Sequence, residues 1–472
     1  MTMQQYAVLI PELIVLVAAL VALFADLLGG DRVAAMVGAA AAAMAAVVVW
    51  LVPVPEALFG SMLTFTHGTT TLMLRSGIAG LTSLFLLWVA ARGWAGVRAR
   101  EAVALTLFST VGSMLLISAS DLVTLFLCLE LATMPAYVLM GYSAEDKRSL
   151  EGALKYFLMS VLTSLVMAYG LSFVFGMNQH TSYSPLQVAG PAWLGVAVSV
   201  LVLVGFLSKM TAAPFHYWVP DANEGAPSAS VAFVAAISKI APVYAMVRLL
   251  AEVLPTSDGL SRVVMICAVV SIPLGIFAAL VQTDVRRMVA YSGISMAGYM
   301  MLGVAAATPA GYASAVFLVA VYAVSVLGLM LVVAQEGGTF ADIAGLVKRR
   351  PVAAWSAVVY LFSIIGFPPM VGFYGKLGVL SAAYRAGYFI PVLIAVLMSV
   401  VAGGYAFAVI RAMFTPGEGA PEETGIPAPV DATEYPQAPA LAGTVIVVLA
   451  GLSLGLGLIA EPLISLLQAS LS

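Results

Sequence analysis

Residues 208–220 read S-K-M-T-A-A-P-F-H-Y-W-V-P. An apolar run from about residue 191 leads unbroken into Lys209 and then meets Pro214 and Pro220. Proline removes a backbone donor and clashes with the preceding turn, so a helix arriving here breaks. Residues 366–376, G-F-P-P-M-V-G-F-Y-G-K, repeat the arrangement, with Gly366, Pro368, Pro369 and Gly372 ahead of Lys376. Paired interruptions inside long apolar runs point to a membrane fold built from inverted repeats. The two breaks lie five apolar spans apart. A five-span unit suits that spacing, and an odd number of spans turns the second copy upside down.

The composition agrees. The chain has 472 residues, of which 62% are hydrophobic and 9% charged, and its mean hydropathy is +1.07. A soluble domain carries roughly 25% charged residues. A net charge of −3 gives no basic surface for nucleic acid. Cys128 and Cys267 both lie within apolar runs and show neither disulfide nor metal spacing. The first apolar run contains Glu12 and has no basic leader or A-x-A site, so it reads as a retained span rather than a signal peptide.

A spanning helix needs about 20 apolar residues. By that measure the chain is an all-α polytopic membrane protein with about 14 transmembrane helices in one membrane domain, 1–472. The expected spans are 6–28, 33–52, 72–91, 102–119, 121–141, 150–176, 191–220, 227–251, 262–281, 287–306, 310–334, 351–385 (broken), 388–413 and 440–468. Three N-terminal spans occupy 1–100. Two inverted five-helix repeats follow over 101–251 and 262–413, each with its broken helix, and 440–468 is the last span. The polar connection 412–439 holds six prolines and the acids Glu418, Glu422, Glu423, Asp431 and Glu434, and reads as a mobile loop. Odd-numbered loops carry 12 Lys and Arg residues against 4 on the other side, where Arg75, Arg248, Arg262 and Arg385 are placed. The positive-inside rule then puts the odd loops in the cytoplasm and both termini opposite.

The residues that stand out are charges where apolar residues belong. A lysine at the centre of a spanning helix costs roughly 2.5–3.5 kcal/mol on insertion scales. Lys209, Lys239 and Lys376 all lie within spans, and Glu130 sits mid-span in L-F-L-C-L-E-L-A-T-M-P. Such groups mark ion or proton paths. Lys209, at a break, is solvated by freed backbone groups and water, or else snorkels to an interface. Lys239 lies about 12 residues into its span, too deep to snorkel, and a buried lysine can exchange a proton near neutral pH. Lys376, seven residues past Pro369, is the natural terminal site. Glu151 and Lys155 share a helix face four residues apart, as an edge-stabilising or a functional pair. His216, two turns after Lys209, is either structural or a relay. His67 and His180 lie in polar loops. No P-loop, G-x-G-x-x-G or cysteine cluster is present.

Five stretches carry a resemblance over nearly the whole chain. They are E-L-A-T-M-P-A-Y-V-L-M-G-Y (130–142), S-L-E-G-A-L-K-Y-F (149–157), S-K-M-T-A-A-P-F-H-Y-W-V-P-D-A-N-E-G-A-P (208–227), R-M-V-A-Y-S-G-I-S-M-A-G-Y (287–299) and I-G-F-P-P-M-V-G-F-Y-G-K-L (365–377). In order and spacing they resemble the antiporter-like subunits of respiratory complex I, the NADH-quinone oxidoreductase, and the Mrp-type cation/proton antiporters. L-K-Y-F, A-A-P-F-H-Y-W-V-P-D and the opening L-I-P-E-L-I-V-L are most similar to the subunit N branch.

The resemblance implies a proton-translocating subunit, with Glu130 and Lys209 as a coupling ion pair, Lys239 as the central lysine and Lys376 as the terminal one. Glu151, Lys155 and His216 match accessory polar positions. It also implies that this chain holds no cofactor or metal. NADH, FMN, iron–sulfur clusters and quinone are expected in partner subunits, and the partners are a neighbouring antiporter-like subunit, small spanning subunits and lipid in a bacterial inner membrane. A Mrp-type Na+/H+ antiporter subunit is the alternative reading. The loop 412–439 is longer and more acidic than the resemblance implies.

Overall fold

The computed structural model describes residues 7–24, 30–52, 57–58, 62–64, 68–94, 98–143, 146–188, 191–254, 257–415 and 439–471. The expected loop at 412–439 and His67 therefore fall largely outside the described residues. The helices are α1 Ile10–Leu23, α2 Asp31–Leu51, α3 Gly68–Arg92, α4 Ala99–Ser118, α5 Leu122–Met140, α6 Lys147–Asn178 and α7 Ala192–Met210. A short α8, Val219–Gly225, follows the first break. Next come α9 Ser228–Ala236, α10 Ile240–Glu252, α11 Asp258–Leu280, α12 Val285–Ala305 and α13 Pro309–Glu336. The chain continues through α14 Leu346–Arg349, α15 Pro351–Ile365, α16 Val371–Arg385, α17 Phe389–Phe414, α18 Ala440–Leu458 and α19 Ala460–Leu471.

Twelve stretches among the described residues are long and apolar enough to cross a membrane. With the shorter apolar helix at Ala7–Leu23 and the broken pair α15–α16, they account for the fourteen expected spans. The segment α9–α10, together with α12 and α13, is almost wholly buried and forms the centre of the molecule. The outer helices present long apolar side chains such as Val400, Leu458 and Leu165. Close backbone approach sets the packing where glycines allow it. A Cβ on Gly112 of α4 would lie 2.4 Å from Ala132 N of α5, and one on Gly275 of α11 would lie 2.5 Å from Ser295 N of α12.

Both expected breaks are present. The helix α7 stops at Met210 with Thr211 in the left-handed region (φ 67°), and α15 stops at Ile365 with Gly366 there (φ 79°). The structure departs from expectation at two other spans. The eighth was expected to be continuous but carries a 3-10 turn at Ile237–Lys239. Pro242 cannot donate to the Ser238 carbonyl four residues back, and the Ser238 hydroxyl instead donates to Val234 O (2.7 Å). The last span divides at Ile459 into α18 and α19, and Pro462 sits in the first turn of α19, where a missing donor is harmless.

Arg75 and Arg248, placed among flanking charges by the sequence, are instead buried at 1% and 2% exposure. Arg75 makes a bidentate pair with Glu12, Nε to Oε1 at 2.9 Å and Nη2 to Oε2 at 2.8 Å, and so ties α3 to α1. Arg248 pairs with Glu252 one turn on and donates to Ala119 O (2.7 Å) at the end of α4.

Candidate functional site

Three helices, α5, α6 and α7, meet around Lys209 at the C-terminal end of α7. Its ammonium lies 3.4 Å from Glu130 Oε1 on α5. It also donates to Thr133 Oγ1 (3.0 Å) and to Tyr137 OH (2.5 Å). Glu130, Thr133 and Tyr137 stand three, four and seven residues apart, so the pitch of α5 puts them on one face. Glu130 Oε1 also accepts from Ser164 Oγ on α6 (2.6 Å). A lysine has three donors; two of them bond the hydroxyls, and the carboxylate stands beside the ammonium as its counter-ion. At this separation, an effective dielectric near 20 gives the pair about 5 kcal/mol of attraction. Desolvation of each ion takes back several kcal/mol. The pair therefore stands near balance, and a small displacement of Glu130 changes its sign.

Lys239 lies in the 3-10 turn between α9 and α10. Its Nζ donates to Thr211 Oγ1 (3.2 Å), two residues past Lys209 in the break of α7. Gly293 of α12 leaves the space for this approach. A Cβ there would come within 3.2 Å of Lys239 Nζ and 3.1 Å of the Tyr322 hydroxyl on α13. Tyr322 thus faces Lys239 across the same notch. One turn further along α13, Ser325 Oγ bonds to Ser363 Oγ on α15 (2.8 Å). Lys376, on α16, donates to Ile365 O (2.9 Å) at the end of α15 and lies over the Tyr299 ring, 4.6 Å from its centroid. It also lines a cleft of about 490 Å³ between the second break and α17. Among the described residues, neither Lys239 nor Lys376 has a carboxylate within ion-pair distance.

Glu130, Lys209 and Lys239 are thus brought together around the first break, and Lys376 stands at the second. The accessory residues stand apart from them. Lys155 bonds Glu151 (2.7 Å) as the spacing implied, but it also bonds Asp221 on α8 (2.6 Å). Asp221 in turn takes Arg287 at the start of α12 (3.0 Å), which reaches Glu224 as well (2.6 Å). Burial pushes the Asp221 carboxyl upward, but the Lys155 and Arg287 cations outweigh it and hold the group below the usual carboxylate range. His216 is half buried in the turn before α8 and forms no ion pair among the described residues, so it is not joined to the lysines.

Several participants were missed in the sequence: Thr133, Tyr137, Ser164, Thr211, Asp221, Tyr322 and Arg287. Spacing from Glu130 could have found the first two. Thr211 carried a weaker signal, being the residue that follows the last turn of a helix about to break.

Residues 119–402 match the family model described as NADH:quinone oxidoreductase/Mrp antiporter, TM. A protein of Sphingopyxis alaskensis named NADH-quinone oxidoreductase subunit N is 35% identical over 441 residues, covering 89% of this chain and 90% of the relative. The chain belongs to the subunit N family of NADH-quinone oxidoreductase. Its structure resembles a chain of respiratory complex I from Thermus thermophilus with bound aureothin. The TM-score is 0.78 at 25% identity, covering 97% of this chain and 99% of that one. A chain of the Mrp complex from a Dietzia species shares the fold, with TM-score 0.80 at 20% identity over 100% of this chain and 97% of that one. The subunit N family assignment favours the oxidoreductase reading over the Mrp alternative.

Proposed function

We propose that this chain is a proton-translocating subunit of NADH-quinone oxidoreductase and that Glu130, Lys209, Lys239 and Lys376 carry the protons. The observation that carries the reading is the placement of a buried lysine at each helix break, the first of them beside the Glu130–Lys209 pair. Lys209 holds Glu130, Lys239 holds the break just past Lys209, and Lys376 holds the corresponding break in the second half. When Glu130 is close, Lys209 keeps its charge. When a neighbouring subunit draws Glu130 away, Lys209 loses about 5 kcal/mol of attraction and passes its proton toward Lys239. Moving one charge against 100 mV takes about 2.3 kcal/mol, so losing that attraction is a large enough change to release the proton, the work of drawing Glu130 away being done by the neighbouring subunit. The proton leaves by way of Lys376.

The driving redox chemistry belongs to other subunits, which hold NADH, FMN, the iron–sulfur clusters and quinone. The direct partners are a neighbouring antiporter-like subunit, small spanning subunits and lipid. The 12-to-4 split of basic residues supports cytoplasmic odd loops in a bacterial inner membrane, with both termini opposite. Two inverted repeats, 101–251 and 262–413, follow the first three spans and precede the last. The paired breaks and the matched glycine contacts of α4–α5 and α11–α12 support that division. Glu151 and Lys155 act at the cytoplasmic edge, and His216 is a half-buried accessory group.

The test is Lys239→Ala in the intact complex, reconstituted in vesicles, with protons pumped per NADH oxidised as the readout. Loss of pumping in an assembled complex is expected, and normal pumping would overturn the relay. Sodium-dependent proton exchange without NADH oxidation would instead favour the Mrp reading.

A further inference from the structure

Between the charged cluster on α8 and the buried Lys209 stand two aromatic rings. Tyr156 of α6 and Trp218, just before α8, stack face to face, with centroids 3.8 Å apart and planes 1° apart. Each is 3% exposed. On the inner side Tyr137 meets Tyr156 edge-on at 4.6 Å, and its hydroxyl is the one that holds Lys209. On the outer side the chain neighbours of the two rings are the partly exposed ion pair. Lys155 adjoins Tyr156, and Asp221 follows Trp218 by three residues. Exposure falls in that order, from 40% and 35% for the Lys155 and Asp221 side chains to 1% for Lys209.

We infer that the Tyr156–Trp218 stack is the barrier that keeps protons on the cytoplasmic side from reaching Lys209 between turnovers. Proton hopping needs a continuous chain of donors and acceptors, and a water in such a chain needs room and two to four polar partners. Ring faces in contact offer neither. The Trp218 indole N–H is buried without a hydrogen-bond partner among the described residues. A buried donor left open is costly, and it is a ready contact for a water once the rings part.

The wall around the stack is closely packed. A Cβ on Gly152 of α6 would lie 2.8 Å from Ala222 Cα on α8, and one on Gly225 would lie 2.4 Å from Arg148 O, so α6 and α8 meet backbone to backbone. The Lys155–Asp221 and Arg287–Asp221 pairs close the outer rim. Opening the path therefore falls to the two rings rather than to the helices that carry them. The cytoplasmic side is the one assigned under the proposed function, and the inference rests on that reading for the identity of the ion.

The experiment uses the whole complex in sealed vesicles, without NADH, and follows the decay of an imposed pH gradient. Trp218→Ala should quicken the decay by about three- to tenfold, the effect of losing one stacked aromatic pair. Trp193→Ala, which removes a Trp that is 67% exposed on the outside of α7, is the control. Adding Lys209→Met to Trp218→Ala should return the decay to the starting rate. NADH oxidation with a soluble acceptor reports assembly, and Tyr156→Leu is read in the same way if Trp218→Ala fails to assemble. A tight vesicle with an assembled Trp218→Ala or Tyr156→Leu complex overturns the barrier, as does a leak that survives Lys209→Met. Failure of the relay would show separately, as normal pumping by Lys239→Ala alongside a Trp218→Ala leak.

Discussion

The two breaks, after α7 and after α15, use one device with different chemistry. Each leaves the C-terminal end of a half-helix inside the protein, where unsatisfied carbonyls carry partial negative charge. Each receives a lysine from elsewhere: Lys239 at Thr211, and Lys376 at Ile365. The difference lies in what surrounds the lysine. The first break adds Lys209 with a carboxylate and two hydroxyls, whereas the second offers Lys376 one carbonyl and the face of Tyr299. A broken helix is enough to hold an ammonium in a membrane, and the added carboxylate makes the first site responsive to movement. On that view the first half takes the input and the second half discharges it.

The strongest test of that division removes the link between the halves. Lys239→Ala should lower pumping by more than about tenfold while NADH oxidation by the assembled complex persists. Next in size is Glu130→Gln, which leaves Lys209 a buried charge without its counter-ion. Breaking one side of a buried pair costs about 3–5 kcal/mol, so assembly should weaken and coupling should be lost. Glu130→Asp keeps the charge at shorter reach and should fall between Gln and the native residue in protons pumped per NADH.

A third change separates strain from function. Thr211 is a β-branched residue at φ 67°, where Gly366 serves in the second half. Such a conformation stores about 1–3 kcal/mol. Thr211→Gly relieves that strain, yet it removes the hydroxyl that Lys239 bonds. The lost hydrogen bond to a charged group contributes about 1.5–3 kcal/mol and roughly offsets the relieved strain, so stability should change little while pumping drops. Thr211→Ser should restore pumping. If Thr211→Gly pumps normally, the threonine is there for packing and the two breaks are alike.

The smallest effect concerns the rim. The Asp221 carboxyl lies below its unfolded value of about 3.9. Its contribution to stability is complete above that pH and is lost as pH falls through the lower folded value. The side chain is about a third exposed, which limits the pair to roughly 0–1 kcal/mol. Melting curves of native and Asp221→Asn complexes should differ slightly at pH 6 and converge toward pH 3.

The sequence made some of this legible and hid the rest for identifiable reasons. Composition decided the membrane class, and prolines beside glycines located both breaks. Run length placed the spans, because a bilayer fixes the length of helix it accepts. The Glu130–Lys209 contact was another matter. The residues are 79 positions apart, and only the fold brings them together; the resemblance implied it, but spacing could not. Thr211 and Tyr322 are ordinary residues in membrane helices and gain meaning from the lysines opposite them. The turn at Ile237–Lys239 had a cause in plain view, Pro242. Arg75 and Arg248 misled because a basic residue near the end of an apolar run usually faces water, and here each is buried against a carboxylate.

The Glu12–Arg75 pair has a bearing on how the chain is made. The two side chains lie on the first and third spans, so α3 enters the bilayer carrying a guanidinium whose counter-ion arrived earlier on α1. Without α1, the guanidinium would enter without its counter-ion, at up to roughly 2.5–3.5 kcal/mol, the figure for a helix centre on insertion scales. The first helix thus carries the charge that neutralises the third, and a chain begun after α1 should insert α3 less efficiently, as glycosylation mapping of the inserted spans would read.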